Sequence, residues 1–464
     1  MAINAQHAQY NKHIDHWQLI EDITEIENLS QYLVTLNPLD ITQENKCRND
    51  AYKARAVFYA LAQQTCAGML GTLFKKAPVV NVPTAIQYVL SNADGAGNTL
   101  TQQASELAYD IIRKSRGGLF VTYPETTGTV SKADVLSGQY VATIKFIEAE
   151  QIINWKTETV GAVTRLSMVV IAEEIEEFID YKATSKKVIR ELFLLDGVFG
   201  VRTWEMNVKG DWVAMSEMTP TKHDGTHWNY IPFMFVGASN NSPDVDLPNM
   251  LGLCNLNIAH YRNSADYEDS VWYAGQSQPW MSGATQDHID MMAANKMYVG
   301  SRMLLAVPDG GAFGFASAPP NPAVRQAMID KVDMMIGVGA RMIAPGGVAK
   351  TAEQTGSERE VQHSVLSLMA QNISSAYTVC LQWVAEYMGA NPDECEIELC
   401  NDFIDASATP AELQQIITGF LTGAIPLGDY VDYMKRHSLF DDAIPVEDYA
   451  GLLAAPTAPL AQGL

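Results

Sequence analysis

The sequence PNMLGLCNLNIAHYRNSADYEDSVWY at residues 248–273 and the sequence NPAVRQAMIDKVDMMIGVGARMI at residues 321–343 both have the pattern of a long α-helix. Pro248 and Pro322 each stand in a first helical turn, where proline is tolerated. The apolar stripe of the second stretch recurs at helical spacing and consists of Val324, Met328, Val332, Met335 and Gly339. At about 1.5 Å per residue, the first helix would be roughly 39 Å long.

A compact segment, residues 274–320, separates the two helices. It has strand-like sequences at 278–282, 303–307 and 312–316, around a short helical stretch near 286–296. After the second helix, the glycine-rich sequence 344–350 interrupts a helical pattern that resumes by Glu353 and continues to about Met388. Because glycine and proline punctuate regular structure, this sequence predicts a mobile loop between two long helices.

The rest of the chain predicts helices at both ends and a β-rich middle. Residues 46–76 and 100–114 have apolar residues at helical spacing, and each range predicts one helix. The pattern then alternates in stretches rich in β-branched and aromatic residues, namely 118–124, 140–147, 152–155, 164–171, 188–195, 201–206, 212–215 and 230–236. Three short helices are predicted towards the C-terminus, near Thr409, Leu427 and Val446. The predicted fold class is therefore α+β.

The composition is acidic, with 31 Lys and Arg against 54 Asp and Glu among 464 residues and a formal net charge of −23. This balance argues against a generic DNA-gripping surface, since neutralising phosphates requires clustered cations. Six scattered cysteines without a zinc-type pair indicate a reducing compartment rather than a disulfide framework. The uncharged stretches 56–74 and 364–385 contain central amide and hydroxyl residues, so they predict buried helices rather than membrane spans.

No motif in the sequence predicts catalysis, a cofactor or a metal site. The segment 346–351 comes nearest to a phosphate loop, but a Walker A motif requires glycine where Ala344 and Ala349 stand. His13 and His16 lack the further ligands of a metal site, so solvated surface histidines are expected. No GxSxG sequence occurs, and the cysteines have no evident histidine partner.

Acidic residues are concentrated in two places. The run 173–177 lacks the ligand spacing of a calcium loop and favours a solvated acidic turn. Residues 241–296 contain only Arg262 and Lys296 as basic residues. The acidic residues of this second range are Asp244, Asp246, Asp266, Glu268, Asp269, Asp287 and Asp290. They form either an ordinary soluble surface or, if several copies form a ring, the lining of a channel that repels DNA.

Five short sequences follow one another in a distinctive order. They are AYKARA at 51–56, GMLGTLF at 68–74, GGLFV at 117–121, QIINW at 151–155 and LNIAHYRNSADYE at 256–268. In this order they resemble the portal proteins of tailed bacteriophages, which form the ring at the head-to-tail vertex. The similarity extends over most of the chain from about residue 46 to 450 and depends on the joint order, because no single sequence is a catalytic signature.

The resemblance implies a subunit with a mixed α/β wing, a two-helix stem, a small β-containing clip and an all-helical crown. In this chain the parts would be an N-terminal arm at 1–45, the wing at 46–247 and 351–400, the stem helices at 248–273 and 321–343, the clip at 274–320, the tunnel loop at 344–350, and the crown with the C-terminal tail at 401–464. The arm would extend to grip a neighbouring subunit.

The resemblance also implies a structural role without bond chemistry and without a cofactor. Portal subunits assemble into a ring of about twelve copies. An ATP-driven terminase pumps double-stranded DNA through this ring, and the DNA later leaves by the same channel. The implied partners are other copies of the chain, the terminase large subunit, the major capsid protein and tail adaptor proteins. The implied location is the portal vertex of the virion, and the host cytoplasm during assembly, without a membrane.

Two sets of functional residues follow from the resemblance. The tunnel loop and the three stem residues before it would protrude towards the DNA. These ten tunnel-loop residues are Arg341, Met342, Ile343, Ala344, Pro345, Gly346, Gly347, Val348, Ala349 and Lys350. Among them, Arg341 and Lys350 would offer intermittent phosphate contacts. The clip would present Trp280 and Met281 to the terminase and the adaptor, since exposed aromatic residues often anchor interfaces. The alternative for Trp280 is a place in the core of the clip.

Two other classes of protein also fit the sequence. A non-portal virion scaffold or adaptor of lower oligomeric order would have the same acidic composition, and ring formation distinguishes it from a portal. An enzyme within the β-rich part is the second alternative. Hydrolytic assays with and without divalent metals test it.

Overall fold

The computed structural model describes residues 3–124, 140–276, 278–294, 307, 309–316, 322–338, 352–400, 410–422 and 424–436. The described chain has an α+β fold, as the sequence predicts. It divides into two compact units, Met1–Asn401 and Asp402–Leu464.

The first unit begins with a buried helix, α1 (Ala8–Glu25). Trp17 and Ile20 of this helix are buried, and the Trp17 Nε1 atom donates a hydrogen bond to the Lys114 carbonyl at 3.1 Å. Residues 8–25 therefore belong to the core of their own chain. The predicted extended arm is wrong for this part of the N-terminus.

His13 lies on the buried face of α1, one turn before Trp17. The two rings are stacked with their centroids 6.1 Å apart. Burial, followed by the positive charges of Lys12 and His16, lowers the pKa of His13. The expectation of a solvated histidine at this position is therefore wrong, because the helix turns His13 into the core. Among the described residues, no group of three metal-ligating side chains occurs.

The helix predicted at residues 46–76 is two helices, α2 (Gln43–Arg55) and α3 (Leu61–Leu73). The prediction is wrong at its centre, where Ala56 leaves the helix with a ψ of 133°. Helical spacing in the sequence continues across this point. Contacts with a later part of the chain outweigh that local preference.

Polar side chains from residues 257 and 264 bind the backbone between α2 and α3. The Ser264 Oγ atom accepts from the N–H of Val57 and donates to its carbonyl, both at 2.7 Å. Asn257 accepts from the Ala62 N–H at 3.1 Å and donates to the Tyr59 carbonyl at 2.9 Å. These bonds satisfy groups that a continuous helix would pair internally, so the break is stable.

Helix α4 (Leu100–Lys114) occupies the predicted residues and begins with a capping box formed by Thr99 and Gln102. It packs on a three-stranded antiparallel sheet. The strands of this sheet are β2 (Arg116–Thr122), β3 (Thr143–Glu148) and β9 (Phe233–Gly237), and their order in the sheet is β3–β2–β9. Close packing requires glycine at Gly118, where a Cβ atom would lie 2.5 Å from the Phe233 ring.

The other predicted strands form a five-stranded antiparallel sheet in which neighbours follow chain order. They are β4 (Ile152–Val160), β5 (Val163–Ile179), β6 (Lys182–Leu195), β7 (Val198–Met206) and β8 (Trp212–Met218). The acidic turn predicted at 173–177 is wrong, because these residues continue β5 opposite β6. Basic residues of β6 compensate the charge, with Glu173 at 2.8 Å from Arg190 and Glu177 at 3.5 Å from Lys186.

A long helix, α8 (Ala352–Met388), contributes much of the core of the first unit. A two-stranded sheet, β1 (Val79–Asn81) with β12 (Glu396–Glu398), lies beside it. The uncharged stretches 56–74 and 364–385 coincide largely with α3 and α8, and both helices bury apolar residues. In the part of the chain that the structure describes, no helix has the length and apolar character needed to cross a membrane.

The second unit contains α9 (Pro410–Leu421) and α10 (Leu427–Arg436). Tyr430 and Val431 of α10 are buried, and Phe420 stacks on Tyr430 with ring centroids 4.2 Å apart. These two helices lie where the sequence predicts them. The third helix, predicted near Val446, lies outside the described residues.

Candidate assembly surface

Two long helices flank a small insert along the chain, in the order that the sequence predicts. The helices are α5 (Leu251–Gly275) and α7 (Pro322–Val338). The insert contains β10 (Gln278–Ser282), α6 (Gln286–Ala294) and β11 (Ala312–Ala316). The predicted strand 303–307 lies almost entirely outside the described residues. All ten tunnel-loop residues from Arg341 to Lys350 also lie outside them.

Helix α5 is anchored to α2 by its carboxylates. Asp269 is paired with Arg48 and, at 3.1 Å, with Arg55, and its side chain is only 13% exposed. Asp266 accepts a hydrogen bond from the Tyr52 hydroxyl at 2.7 Å. The bond to Asp269 raises the pKa of Arg48, and burial followed by the bond to Asp266 raises the pKa of Tyr52. These contacts fix the helix against the core.

These pairs also change the interpretation of the acidic range 241–296. Asp244 accepts a hydrogen bond from the Gln9 amide at 2.8 Å, and Asp246 accepts from the Ser239 N–H at 3.0 Å. Asp290 accepts from the Gln286 amide at 3.0 Å, so with Asp266 and Asp269 five of the seven acidic side chains have partners inside the chain. Asp244 and Asp266 are exposed, as expected of a soluble surface, whereas Asp269 is largely buried in its ion pairs, so the expectation of a soluble surface or a channel lining is wrong for Asp269.

The last turns of α5 carry an exposed aromatic pair, Trp272 and Tyr273. The guanidinium of Arg55 lies 4.1 Å from the Trp272 ring centroid, and that of Arg48 lies 5.1 Å from Tyr273. Each arginine therefore binds a carboxylate and an aromatic face of α5 together. The end of α5 next to the insert is held by the same two residues of α2.

Helix α7 packs on α5 through the predicted apolar stripe. Met335 is fully buried, and Met328 and Val332 line a groove of about 340 Å³ between the two helices together with His260 and Tyr267. Burial, followed by the positive charge of Lys331, lowers the pKa of His260. The imidazole is therefore suited to an apolar groove in its neutral form.

Four further apolar residues of α7 have no cover in the described chain. Ile329, Met334, Ile336 and Val338 expose between 42% and 55% of their surface. At 100° per residue, Ile329 and Ile336 lie on one side of the covered stripe, and Met334 and Val338 lie on the other. The apolar stripe alone does not predict these exposed residues, although a helix with apolar residues on several sides is their signal in the sequence. Both flanks of α7 are suited to contact with other protein surfaces.

The insert contains an antiparallel ribbon of β10 and β11. Trp280 lies opposite Gly314, and its indole atoms would be 3.0–3.1 Å from a Cβ atom at that glycine. The Trp280 side chain covers the glycine yet remains 46% exposed. Met281 is half-buried and pairs with Phe313, whose ring meets Phe315 edge to face at 5.2 Å. The ribbon therefore has apolar side chains on both faces, and Trp280 is not a buried core residue within its own chain.

Comparison with known proteins gives a partial family match. The model of a family described as a domain of unknown function (DUF4055) matches residues 249–388, which include α5, the insert, α7 and α8. No curated protein matches the sequence. A chain from a solved structure described as "Neck of empty GTA particle computed with C6 symmetry" is similar over 78% of this chain and 84% of its own length, with 12% sequence identity and a TM-score of 0.37. Values this low do not establish a shared fold.

Proposed function

We propose that this chain is the portal protein of a tailed phage. It forms a ring at the capsid vertex, gives a channel for DNA entry during packaging and for DNA exit, and provides the platform on which tail or adaptor proteins dock. The order of the five sequences resembling portal proteins supports this proposal. The helix–insert–helix segment, formed by α5, the insert and α7, supports it as well.

The uncovered flanks of α7 are the observation that carries the proposal. Two different apolar flanks, Ile329 with Ile336 and Met334 with Val338, suit contact with one neighbour on each side. An interface between two different patches of the same chain is heterologous, and such interfaces close into rings when the rotation permits. A dimer related by a two-fold axis would cover one patch and leave the other exposed.

The acidic charge suits a channel through which DNA moves. With a net charge of −23 per chain, a ring repels the phosphate backbone and binds it only weakly. Arg341 and Lys350, the first and the last of the ten tunnel-loop residues, supply intermittent contacts to the DNA. Weak contacts of this kind permit translocation, which a strongly basic channel would slow.

The partners follow from the position in the particle. The terminase large subunit and, later, the tail adaptor dock on the insert, where Trp280, Met281 and Phe315 offer apolar surface. The major capsid protein surrounds the ring at the vertex. The protein acts without catalysing a reaction, first in the host cytoplasm and then in the virion.

Native mass spectrometry and negative-stain class averages of the purified protein test the proposal. We expect a closed ring of about twelve subunits with a central hole. Ile336→Glu places a charge on one uncovered flank and should prevent ring closure, because a buried unpaired carboxylate is costly. Gln326→Glu is the matched control, since it adds the same charge on the opposite, solvent side of α7.

The alternative function is a virion scaffold or adaptor of lower oligomeric order. A monomer or dimer that persists at high concentration and with shell protein present would contradict the portal proposal and favour this alternative. Equal effects of the two charge substitutions would show that the flanks of α7 are not the assembly surface.

A further inference from the structure

A cleft of about 350 Å³ lies between the three-stranded and the five-stranded sheet of the first unit. One wall comes from β2 and β3, with Thr122, Thr143 and Lys145. The other comes from the five-stranded sheet, with Arg190 on β6, Thr203 on β7 and Ser216 on β8. The strands of the two walls offer two cationic groups and four hydroxyl groups, and Tyr123, directly after β2, lines the cleft with a fifth hydroxyl. A volume of this size is at the lower end of the range for small-ligand sites.

The strand register determines where the hydrogen-bond donors of both walls lie. Arg190 lies opposite Thr203, and Thr203 lies opposite Ser216, so the three side chains form a row across three neighbouring strands. On the other wall, Thr143 lies opposite Thr122, and Lys145 follows on the same face of β3. Rigid sheets, rather than loops, therefore hold all six donors.

The cationic groups of the cleft are incompletely paired. Arg190 binds Glu173 at 2.8 Å, yet its Nε atom is buried without a hydrogen-bond partner and its side chain is only 18% exposed. For the half-buried Lys145, no described residue makes a hydrogen bond or ion pair with the ammonium group. Burial, followed by the charge of Arg190, lowers the pKa of Lys145, while Glu173 and Asp94 act on it in the opposite direction.

On the opposite face of the five-stranded sheet, an arginine is paired more completely than Arg190. There the guanidinium of Arg202 is bracketed by Glu191 at 3.2 Å and Glu217 at 2.8 Å. The guanidinium of Arg202 is therefore paired with two carboxylates, whereas Arg190 is paired with one. In the cleft, Glu173 is the one carboxylate of the described residues that is paired with Arg190, while Glu173 and Asp94 act on Lys145 without forming an ion pair with it, so both cations keep hydrogen-bond donors that are free to bind a ligand.

We propose that this cleft binds a phosphate group. A tetrahedral oxyanion can accept hydrogen bonds from both walls at once, with charge-assisted bonds from Lys145 and the free Nε–H of Arg190. The hydroxyl groups of Thr143, Thr203 and Ser216 supply further donors. A carboxylate is planar and has two oxygens, so it satisfies fewer of these donors. The phosphate is either the free ion or a monoester, and neither requires the chain to be a portal protein.

Calorimetric titration of the purified full chain with inorganic phosphate, at constant ionic strength, tests the proposal. We expect saturable binding that Lys145→Met and Arg190→Gln each weaken by about tenfold or more, because each removes a charge-assisted hydrogen bond. Arg202→Gln is the matched control on the other face and should bind phosphate as the unaltered chain does. Adenosine monophosphate, used in a second titration, distinguishes a monoester from the free ion by its tighter binding.

A measurement on the unaltered chain covers the case in which the cleft variants fail to fold. Acetic anhydride acetylates accessible lysines, and peptide mass spectrometry gives the rate at each site. Phosphate should slow the acetylation of Lys145 and leave that of Lys209, an exposed turn residue, unchanged. The absence of saturable binding, equal binding of acetate, or equal protection of the two lysines would overturn the proposal.

Discussion

The guanidinium carbon of Arg116 lies 3.8 Å from the centroid of the Phe235 ring, on the neighbouring strand of the three-stranded sheet. The same group donates hydrogen bonds to the carbonyls of Ser242 and Pro243 at 3.0 Å and of Asp244 at 3.2 Å. Arg116 is only 1% exposed. It therefore joins the sheet to the segment that leads into α5.

Replacement of Arg116 by lysine should destabilise the chain. A single ammonium group cannot stack on Phe235 and also bind three carbonyls that need a planar fork of donors. We expect a loss of about 2–4 kcal/mol in the free energy of unfolding, measured by urea titration. Arg202→Lys is the control and should cost less than about 1 kcal/mol, since its ion pairs are partly solvated. Similar losses in both variants would contradict this role of Arg116.

Asn257→Ala should loosen the connection between α2 and α3. The substitution removes both side-chain bonds to this backbone and leaves the part-buried Tyr59 carbonyl and the buried Ala62 N–H without these partners. The expected cost is about 2–4 kcal/mol, together with faster hydrogen exchange at residues 56–62. Asn263→Ala, on the same helix, should change stability by less than about 0.5 kcal/mol. Unchanged exchange in the Asn257 variant would rule out the proposed cause of the break.

Gly118→Ala should destabilise the chain, whereas Gly71→Ala should not. A Cβ atom at Gly118 would clash with the Phe233 ring, but one at Gly71 in α3 meets no atom within 4 Å. We expect a cost of about 1–3 kcal/mol for the first substitution from overpacking. The second should stabilise the helix by roughly 0.5–1 kcal/mol. Thermal unfolding of the two variants checks the opposite signs, and a neutral Gly118→Ala would show that the sheets adapt.

Deletion of residues 345–349 should impair DNA packaging or DNA retention and leave ring assembly intact. The expectation follows from the proposed portal function, in which the tunnel loop contacts the DNA. Particle DNA content and the mass of the isolated ring measure the two effects separately. A variant with glycine and serine in place of residues 345–349 separates loop length from loop chemistry. Normal packaging and retention in the deletion variant would contradict the role of the loop.

The sequence predicts the helices and strands better than it predicts the contacts between distant segments of the chain. The helix 100–114 and the strands from β2 to β9 follow from the periodicity of the sequence and from its β-branched and aromatic residues. The break between α2 and α3 does not, since it depends on Asn257 and Ser264 about 200 residues later in the chain. The burial of His13 and the pairing of Asp269 depend in the same way on contacts between distant segments.

For the candidate assembly surface too, the sequence predicts the helices and the insert but not which residues stay exposed. Its order of helix, insert and helix is visible in the sequence, and so is the stripe by which α7 packs on α5. The uncovered flanks of α7 need the structure, because the sequence does not say which apolar residues the chain itself covers. The phosphate cleft also escapes sequence analysis, since its donors come from five strands and share no motif.

The attachment of α5 has a mechanical consequence. The helix is held along its length by Asn257, Ser264, Asp266 and Asp269, and it continues directly into the insert. A helix of 25 residues is about 37 Å long and bends little over that distance. A force on the insert is therefore transmitted along a stiff helix to the residues that hold it, first at α2 and then at the junction of α2 and α3.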